Sequence, residues 1–170
     1  MALDVRRIRP DEGLRLRALR LRALADAPMA FGSTLAREEA FTDDVWHGRA
    51  AGGASGADRV TFIAERDDQW IGLASGLAAD PDEPDTAGAV LVGMFVESAE
   101  RGHGVGVALV GAVVAWAQAR GAANLRLWVT ATNDSAIALY DKCGFRRTGE
   151  QKPLAHSPSL AEIRMVRDLR

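Results

Sequence analysis

Residues 90–121, VLVGMFVESAERGHGVGVALVGAVVAWAQARG, constrain the fold more than any other part of the chain. The run "AVLVGMFVE" is apolar almost throughout, which marks a central strand buried on both faces. It leads into a turn with glycine at the alternate positions Gly102, Gly104 and Gly106, and then into an Ala/Val-rich segment that reads as a helix over 105–120. Such a strand needs helices to cover it, so the fold is of the α/β class. The turn also has a chemical meaning. Amides of a first helical turn point outward, the helix dipole favours negative charge, and glycines let an anion approach the backbone, so a pyrophosphate is the natural guest.

Other elements follow from local signals. "DVRRIRP" is a short strand stopped by Pro10, and "DEGLRLRALRLRALADAP" a helix ended by Pro28, with Leu14, Ala18, Leu21 and Ala25 on one side and arginines as its wet face. "STLAREEAFTDDVWHGRA" is a second helical stretch, broken near Thr42, where Thr precedes two aspartates. "RVTFIAERD" and "QWIGLASGLAA" form a hairpin about Asp67 and Asp68, and the loop "DPDEPDTAG" reads as solvated. After the glycine turn and its helix come the strand "NLRLWVTAT", the capped helix "NDSAIALYDKCG", and the closing strands "FRRTGEQKPL" and "LAEIRMVRDL" around "AHSPS". The order is βααββββαβαββ, an antiparallel start with one internal parallel crossover.

The chain has 170 residues, 48% hydrophobic and 26% charged, with net charge −2, which fits one soluble domain over 1–170. Balanced charge argues against a nucleic-acid partner, and Trp46, Trp70, Trp116 and Trp128 are too dispersed for a base-stacking platform. The lone Cys143 excludes an intrachain disulfide and a Cys-rich zinc site, and it reads as a packing residue. No apolar run reaches the ~18–20 residues of a membrane span, and the N-terminus lacks a signal-peptide core. The expected location is cytoplasmic, with no membrane partner and no metal.

Spacing discriminates among glycine loops. "RGHGVGVA" has no Gly-Lys-Ser/Thr ending, and the dinucleotide pattern fails because its third glycine would fall at Val107 or Leu109. What fits is Arg101-x-x-Gly104-x-Gly106. With this loop, and with "NDSAIALYDKCGF" placing Asn133, Ala136, Leu139, Tyr140, Gly144 and Phe145 in the pattern Asn-x-x-Ala-x-x-Leu-Tyr-x-x-x-Gly-Phe, the chain resembles the GNAT N-acetyltransferase family. The two-part N-terminal helix, the hairpin and "EIRMVRDL" extend the likeness over nearly the whole chain.

The resemblance implies a mixed, mostly antiparallel sheet flanked by helices and splayed between its fourth and fifth strands. It implies acetyl-coenzyme A as cosubstrate, with the pyrophosphate on the backbone amides of Gly102, His103, Gly104, Val105, Gly106 and Val107, and with Arg101 opening the loop. The pantetheine arm would pair with the central strand near Met94, Phe95 and Val96, Asn133 would bond the arm, and Lys142 would reach the terminal phosphate. His103 contributes only its amide on the simpler reading. Direct attack by an amine is favoured because no nucleophile with its base stands near the loop.

Glu97, at the end of the central strand, is the first choice as proton acceptor, and a surface carboxylate paired with an arginine is the competing reading. Glu38, Glu39 and His47, in the helical wall of the acceptor pocket, come after it. Tyr140 would donate to the departing sulfur. The acceptor is expected to be a primary amine of a small molecule, amino acid, antibiotic or protein. A non-catalytic acyl-coenzyme A sensor and a dinucleotide-dependent oxidoreductase are the alternatives. Homodimers are common in folds of this type, and no interface is legible.

Overall fold

A computed structural model of the chain describes residues 2–170. Its strands are β1 (Asp4–Arg7), β2 (Arg59–Arg66), β3 (Gln69–Leu77), β4 (Ala89–Val96), β5 (Asn124–Thr130), β6 (Arg146–Leu154) and β7 (Ser157–Asp168). The helices are α1 (Gly13–Asp26), α2 (Leu35–Glu39), α3 (Asp43–Ser55), α4 (Val105–Ala119) and α5 (Asp134–Lys142). One seven-stranded sheet runs β1-β2-β3-β4-β5-β7-β6, antiparallel except for the β4–β5 pair. Three strands, β2, β3 and β4, separate α3 from α4, one fewer than the order expected from sequence, and the Pro- and Asp-rich loop 80–88 forms turns with only an isolated Asp80–Glu83 bridge.

Local chemistry accounts for the elements. The β2–β3 hairpin turns through Asp67 and Asp68, both at positive φ, as a two-residue hairpin turn demands. Thr34 caps α2 by accepting from the Arg37 amide at 3.2 Å, and Asn133 caps α5 by accepting from the Ala136 amide at 3.3 Å. Thr42 does separate α2 from α3, though its side chain makes no capping bond.

Helices cover the sheet unequally. On one face Val105, Leu109 and Val113 of α4, with Ile137 and Tyr140 of α5, bury against Leu91, Leu125 and Leu127. On the other face Leu16, Leu19 and Trp46 of α1 and α3 bury against Ile63, Leu73 and Phe95. The buried stripe of α1 is therefore Leu16, Leu19, Ala23 and Leu24, whereas Leu14, Ala18 and Ala25 are exposed. Leucine, alanine and arginine alternate so closely in α1 that two apolar stripes satisfy the helical period, and only the neighbouring layer selects between them. β4 is buried on both faces at Ala89, Val90 and Leu91 and opens over its second half.

Candidate active site

The site originates where β4 and β5 part. Only Ala89 and Val90 pair with β5, at Leu125 and Arg126, so beyond that point the β5-facing edge of β4 is unpaired. On its other edge Phe95 pairs with Leu73 and Val92 with Ser75, leaving Gly93 and Met94 in a bulge that bends the strand away. A groove of about 450 Å³ occupies the opening. It is lined by β4 at Met94, Phe95 and Val96, by the loop at Arg101, Gly102 and Gly104, by α4 at Gly106 and Val107, and by α5 at Asn133, Ala136, Leu139 and Lys142.

The loop glycines answer to two causes. Gly102 and Gly104 have φ of 81° and 86°, in the left-handed region, with nothing within 4 Å of an added Cβ. Gly106 is ordinary in backbone but crowded, since a Cβ there would stand 2.9 Å from Leu139 Cδ2 and 3.3 Å from Met94 Cε. Glycine at 106 thus lets α4 approach α5 and β4, and glycine at 104 turns the chain into the helix. Ala108 bonds back to the Gly104 carbonyl at 3.1 Å, which leaves the preceding amides of the first turn directed at the groove.

Arg101 braces the loop. Its Nε donates to the Val96 carbonyl and its Nη2 to Asp26, both at 2.9 Å. His103 is exposed and does not line the groove. The Tyr140 ring is buried and meets Phe145 at 5.8 Å, and it follows Leu139, which lines the groove with Asn133 and Ala136, without being a lining residue itself. Burial pushes its phenol above the ordinary value, so the hydroxyl keeps its proton. Burial likewise raises the Cys143 thiol, as expected of a packing cysteine.

The carboxylates singled out from sequence lie elsewhere. Glu97 stands outside the groove lining and is held by Arg22, whose Nε and Nη2 reach it at 2.8 and 2.5 Å. An exposed pair of this kind contributes ~0–1 kcal/mol, and both arginine nitrogens meet the same oxygen, Oε1. Glu38 is 1% exposed and receives Arg20 Nε and Nη2 at 3.0 Å and Arg49 Nη1 at 3.1 Å. Burial opposes its charge, yet the arginines outweigh that and hold its pKa below the ordinary glutamate value. Glu39 is exposed, and His47 packs on Gly13 at the start of α1, while the groove meets the chain just past the other end of that helix, ~21 Å away.

A strap crosses the mouth of the splay. From Pro28 to Phe31 the chain follows α1, and Ala30 and Phe31 line the groove. Thr130 at the end of β5 donates to the Met29 carbonyl, and His156 Nε2, in the β6–β7 turn, donates to the Phe31 carbonyl, each at 2.6 Å. Glu162 of β7 pairs in register with Thr130 and with Lys152, so its side chain shares their face of the sheet. It makes no hydrogen bond or ion pair to another described residue. Burial raises its pKa, with Lys152 and His156 opposing.

Sequence reading passed over this face. Arg126 and Arg164 are buried in strand interiors, both reach Glu83 (3.4 and 2.8 Å), and Asp80 is buried beside them at 3.8 Å from Arg164. Loop 80–88 is therefore anchored by ion pairs. Arginines inside "LRLWV" and "EIRMV" were the available signal: a charged residue alternating with apolar ones marks a strand face that no helix covers.

Residues 21–145 match the model of the Acetyltransferase (GNAT) family. The chain belongs to that family. It is 30% identical over 89 residues to N-acetyltransferase 8 of Homo sapiens, a match covering 52% of this chain and 39% of the relative. The chain spans about two fifths of the length of the curated relatives it matches. Among solved structures it superposes on the protein yncA of Salmonella typhimurium, which was solved with its cofactor acetyl-CoA, with TM-score 0.82, 16% identity and coverage of 100% and 95% of the two chains. It also superposes on the ribosomal-protein-alanine N-acetyltransferase of Brucella melitensis with TM-score 0.80, 23% identity and coverage of 98% and 99%. At these identities the superpositions establish the fold, which is that of GNAT proteins. No helix of the described residues is long and apolar enough to cross a membrane, and they contain no cluster of potential metal ligands.

Proposed function

We propose that the chain is an acetyl-coenzyme A-dependent N-acetyltransferase acting on a primary amine. One observation carries the reading: the unpaired edge of β4 opens into a groove that ends on the free amides at the start of α4. The groove fits the coenzyme. Amides of 102–107 would hold the pyrophosphate, the β4 edge at Met94–Val96 would take the arm, Asn133 would offer its amide nitrogen, and Lys142 would meet the remaining phosphate charge. Acetyl-coenzyme A supplies an acetyl group activated as a thioester. Backbone donors fixed on β4 are suited to stabilising negative charge that develops on an acyl oxygen.

Two side chains then handle protons. Tyr140, whose phenol burial keeps protonated, is the donor to the sulfur side. The proton acceptor is assigned to Glu162, not Glu97, because Glu162 is an unpartnered carboxylate beside the strap that spans the splay, and burial moves its pKa towards neutrality, where a base works best. The resident arginine gives Glu97 a structural task instead.

Calorimetric titration with acetyl-coenzyme A, followed by thiol release assayed over a panel of amines, tests the reading. Saturable binding and amine-dependent thiol release are the expected results. Absence of coenzyme binding by folded protein would overturn it.

A further inference from the structure

The face of the sheet opposite α4 holds more guanidinium donors than the protein itself satisfies. Register places Arg59 of β2, Leu77 of β3, Val90 of β4 and Arg126 of β5 in one row across that face, and Trp128 and Arg164 in another. Arg59 Nε, Arg126 Nε, Arg164 Nε and Trp128 Nε1 are all buried without a hydrogen-bond partner, and each is a donor. Buried polar groups in native proteins are paired as a rule, so these four unpartnered donors need an explanation.

Arg126 and Arg164 share Glu83, Arg164 also reaches Glu150 at 3.3 Å, and Arg20 and Arg49 share Glu38. Arg59 has no carboxylate at all among the described residues. Its stem passes α3 at Gly52, one turn from Arg49. Arg20 spends Nε and Nη2 on Glu38, and its Nη1, free of any hydrogen bond, is directed at the β4 bulge, 3.9 Å from the position a Cβ on Gly93 would take. Gly93 is the residue before Met94, which lines the coenzyme groove, and one residue of strand advances the chain by ~3.3 Å.

We propose that the acceptor carries a carboxylate close to its amine, as an α-amino acid does, and that Arg59 and the free Nη1 of Arg20 receive that carboxylate on the α1–α3 face of the β4 bulge. This rests on the transferase reading for the amine and deepens it by naming the acceptor class. The short step from Gly93 to Met94 sets the spacing: a carboxylate held by Arg20 leaves its neighbouring amine at the mouth of the groove, whereas a long diamine would bring a second cation against Arg59, which has no carboxylate to neutralise it, and the free Nη1 of Arg20. Glu162, across the opening on the same face, meets the amine end.

Two measurements on the full chain test it. In the first, sulfate is titrated by calorimetry into native and Arg59→Gln protein, each saturated with coenzyme A so that the glycine loop is occupied. Arg59 holds no carboxylate in place, so its replacement leaves no buried charge unpaired. Saturable sulfate binding weakened at least tenfold in the variant is the expected result, and equal affinity in the two proteins, or no saturable binding in the native one, overturns the proposal. In the second, α-amino acids are compared with the amines that lack their carboxylate. We expect kcat/KM at least tenfold higher for the carboxylated member of each pair, with the ratio collapsing in Arg59→Gln through KM, and equal rates for the two members overturn it. Failure of the transferase reading shows separately, as an absence of thiol release with every amine. The sulfate comparison, read as the difference between the two proteins, decides the anion site in that case too.

Discussion

Replacing Gly104 with alanine separates the two tasks the structure gives this position. At φ 86° with nothing within 4 Å of an added Cβ, the substitution meets no side chain, so its folding cost is that of the left-handed conformation alone, ~1–2 kcal/mol. For a chain of this size that lowers Tm by roughly 2–8 °C. Gly104 also lines the groove, and a methyl there stands where an anion must meet the backbone. Coenzyme affinity is expected to fall at least tenfold, ~1.4 kcal/mol, beyond any effect on folding. Gly121, past the other end of α4, has φ 77° and equally open surroundings, so Gly121→Ala supplies the same backbone cost without touching the groove. Calorimetry on both variants, with thermal unfolding measured alongside, completes the comparison. If Gly104→Ala binds acetyl-coenzyme A as tightly as Gly121→Ala does, the loop is not a phosphate cradle.

Tyr140→Phe is expected to fold and bind coenzyme normally yet transfer acetyl at least about tenfold more slowly in single turnover, a barrier increase of ~1.4 kcal/mol, and an unchanged rate removes the phenol from the chemistry. A base whose pKa is raised becomes active only as pH climbs past the ordinary glutamate range. The rising limb of kcat/KM should therefore lie above that range and be abolished by Glu162→Gln, with Glu97→Gln superimposing on the native profile. Glu38→Gln leaves Arg20 and Arg49 without their buried carboxylate and should cost about 3 kcal/mol in denaturant unfolding. Because the Glu38 pKa is depressed, its contribution is present above the ordinary glutamate pKa and lost as pH falls through the lowered value, so the native protein should lose more stability on acidification than the variant.

The sheet was legible wherever one residue type forced one geometry. Asp67 and Asp68 accept the positive φ of a tight hairpin turn, Asn133 caps, and the apolar run of β4 admits no other place than the centre. Legibility failed where two answers satisfied the same period. α1 carries apolar residues on two stripes, and the choice of Leu16 and Leu19 over Leu14 and Ala18 belongs to the layer of Ile63, Leu73 and Phe95 beneath it. The arginines of that helix were hard to place for the same reason, since a guanidinium on a long stem serves equally as wet surface or, as with Arg20, as half of a buried pair.

The coenzyme side and the acceptor side differ in how local they are. The groove is built mainly from two contiguous segments, 94–107 and 133–142, with Ala27, Ala30 and Phe31 closing it, so spacing along the chain carries most of its signature. The face where we propose the acceptor binds collects single side chains from β2, β5, β7 and α1, and only the register of a seven-stranded sheet brings Arg59, Arg126 and Arg164 to one side. That difference also bears on which carboxylate we propose as the base. Glu97 is adjacent in sequence to the strand that opens, yet it lies past the bulge at Gly93 and Met94, at the start of a short helical turn, and is held by Arg22. Glu162 is far from that strand in sequence but comes next to the splay through its pairing with Thr130. A sheet that parts between two strands exposes the side chains of the strand beyond the gap, and in this chain that strand's antiparallel partner is β7, distant in sequence from the strand that opens.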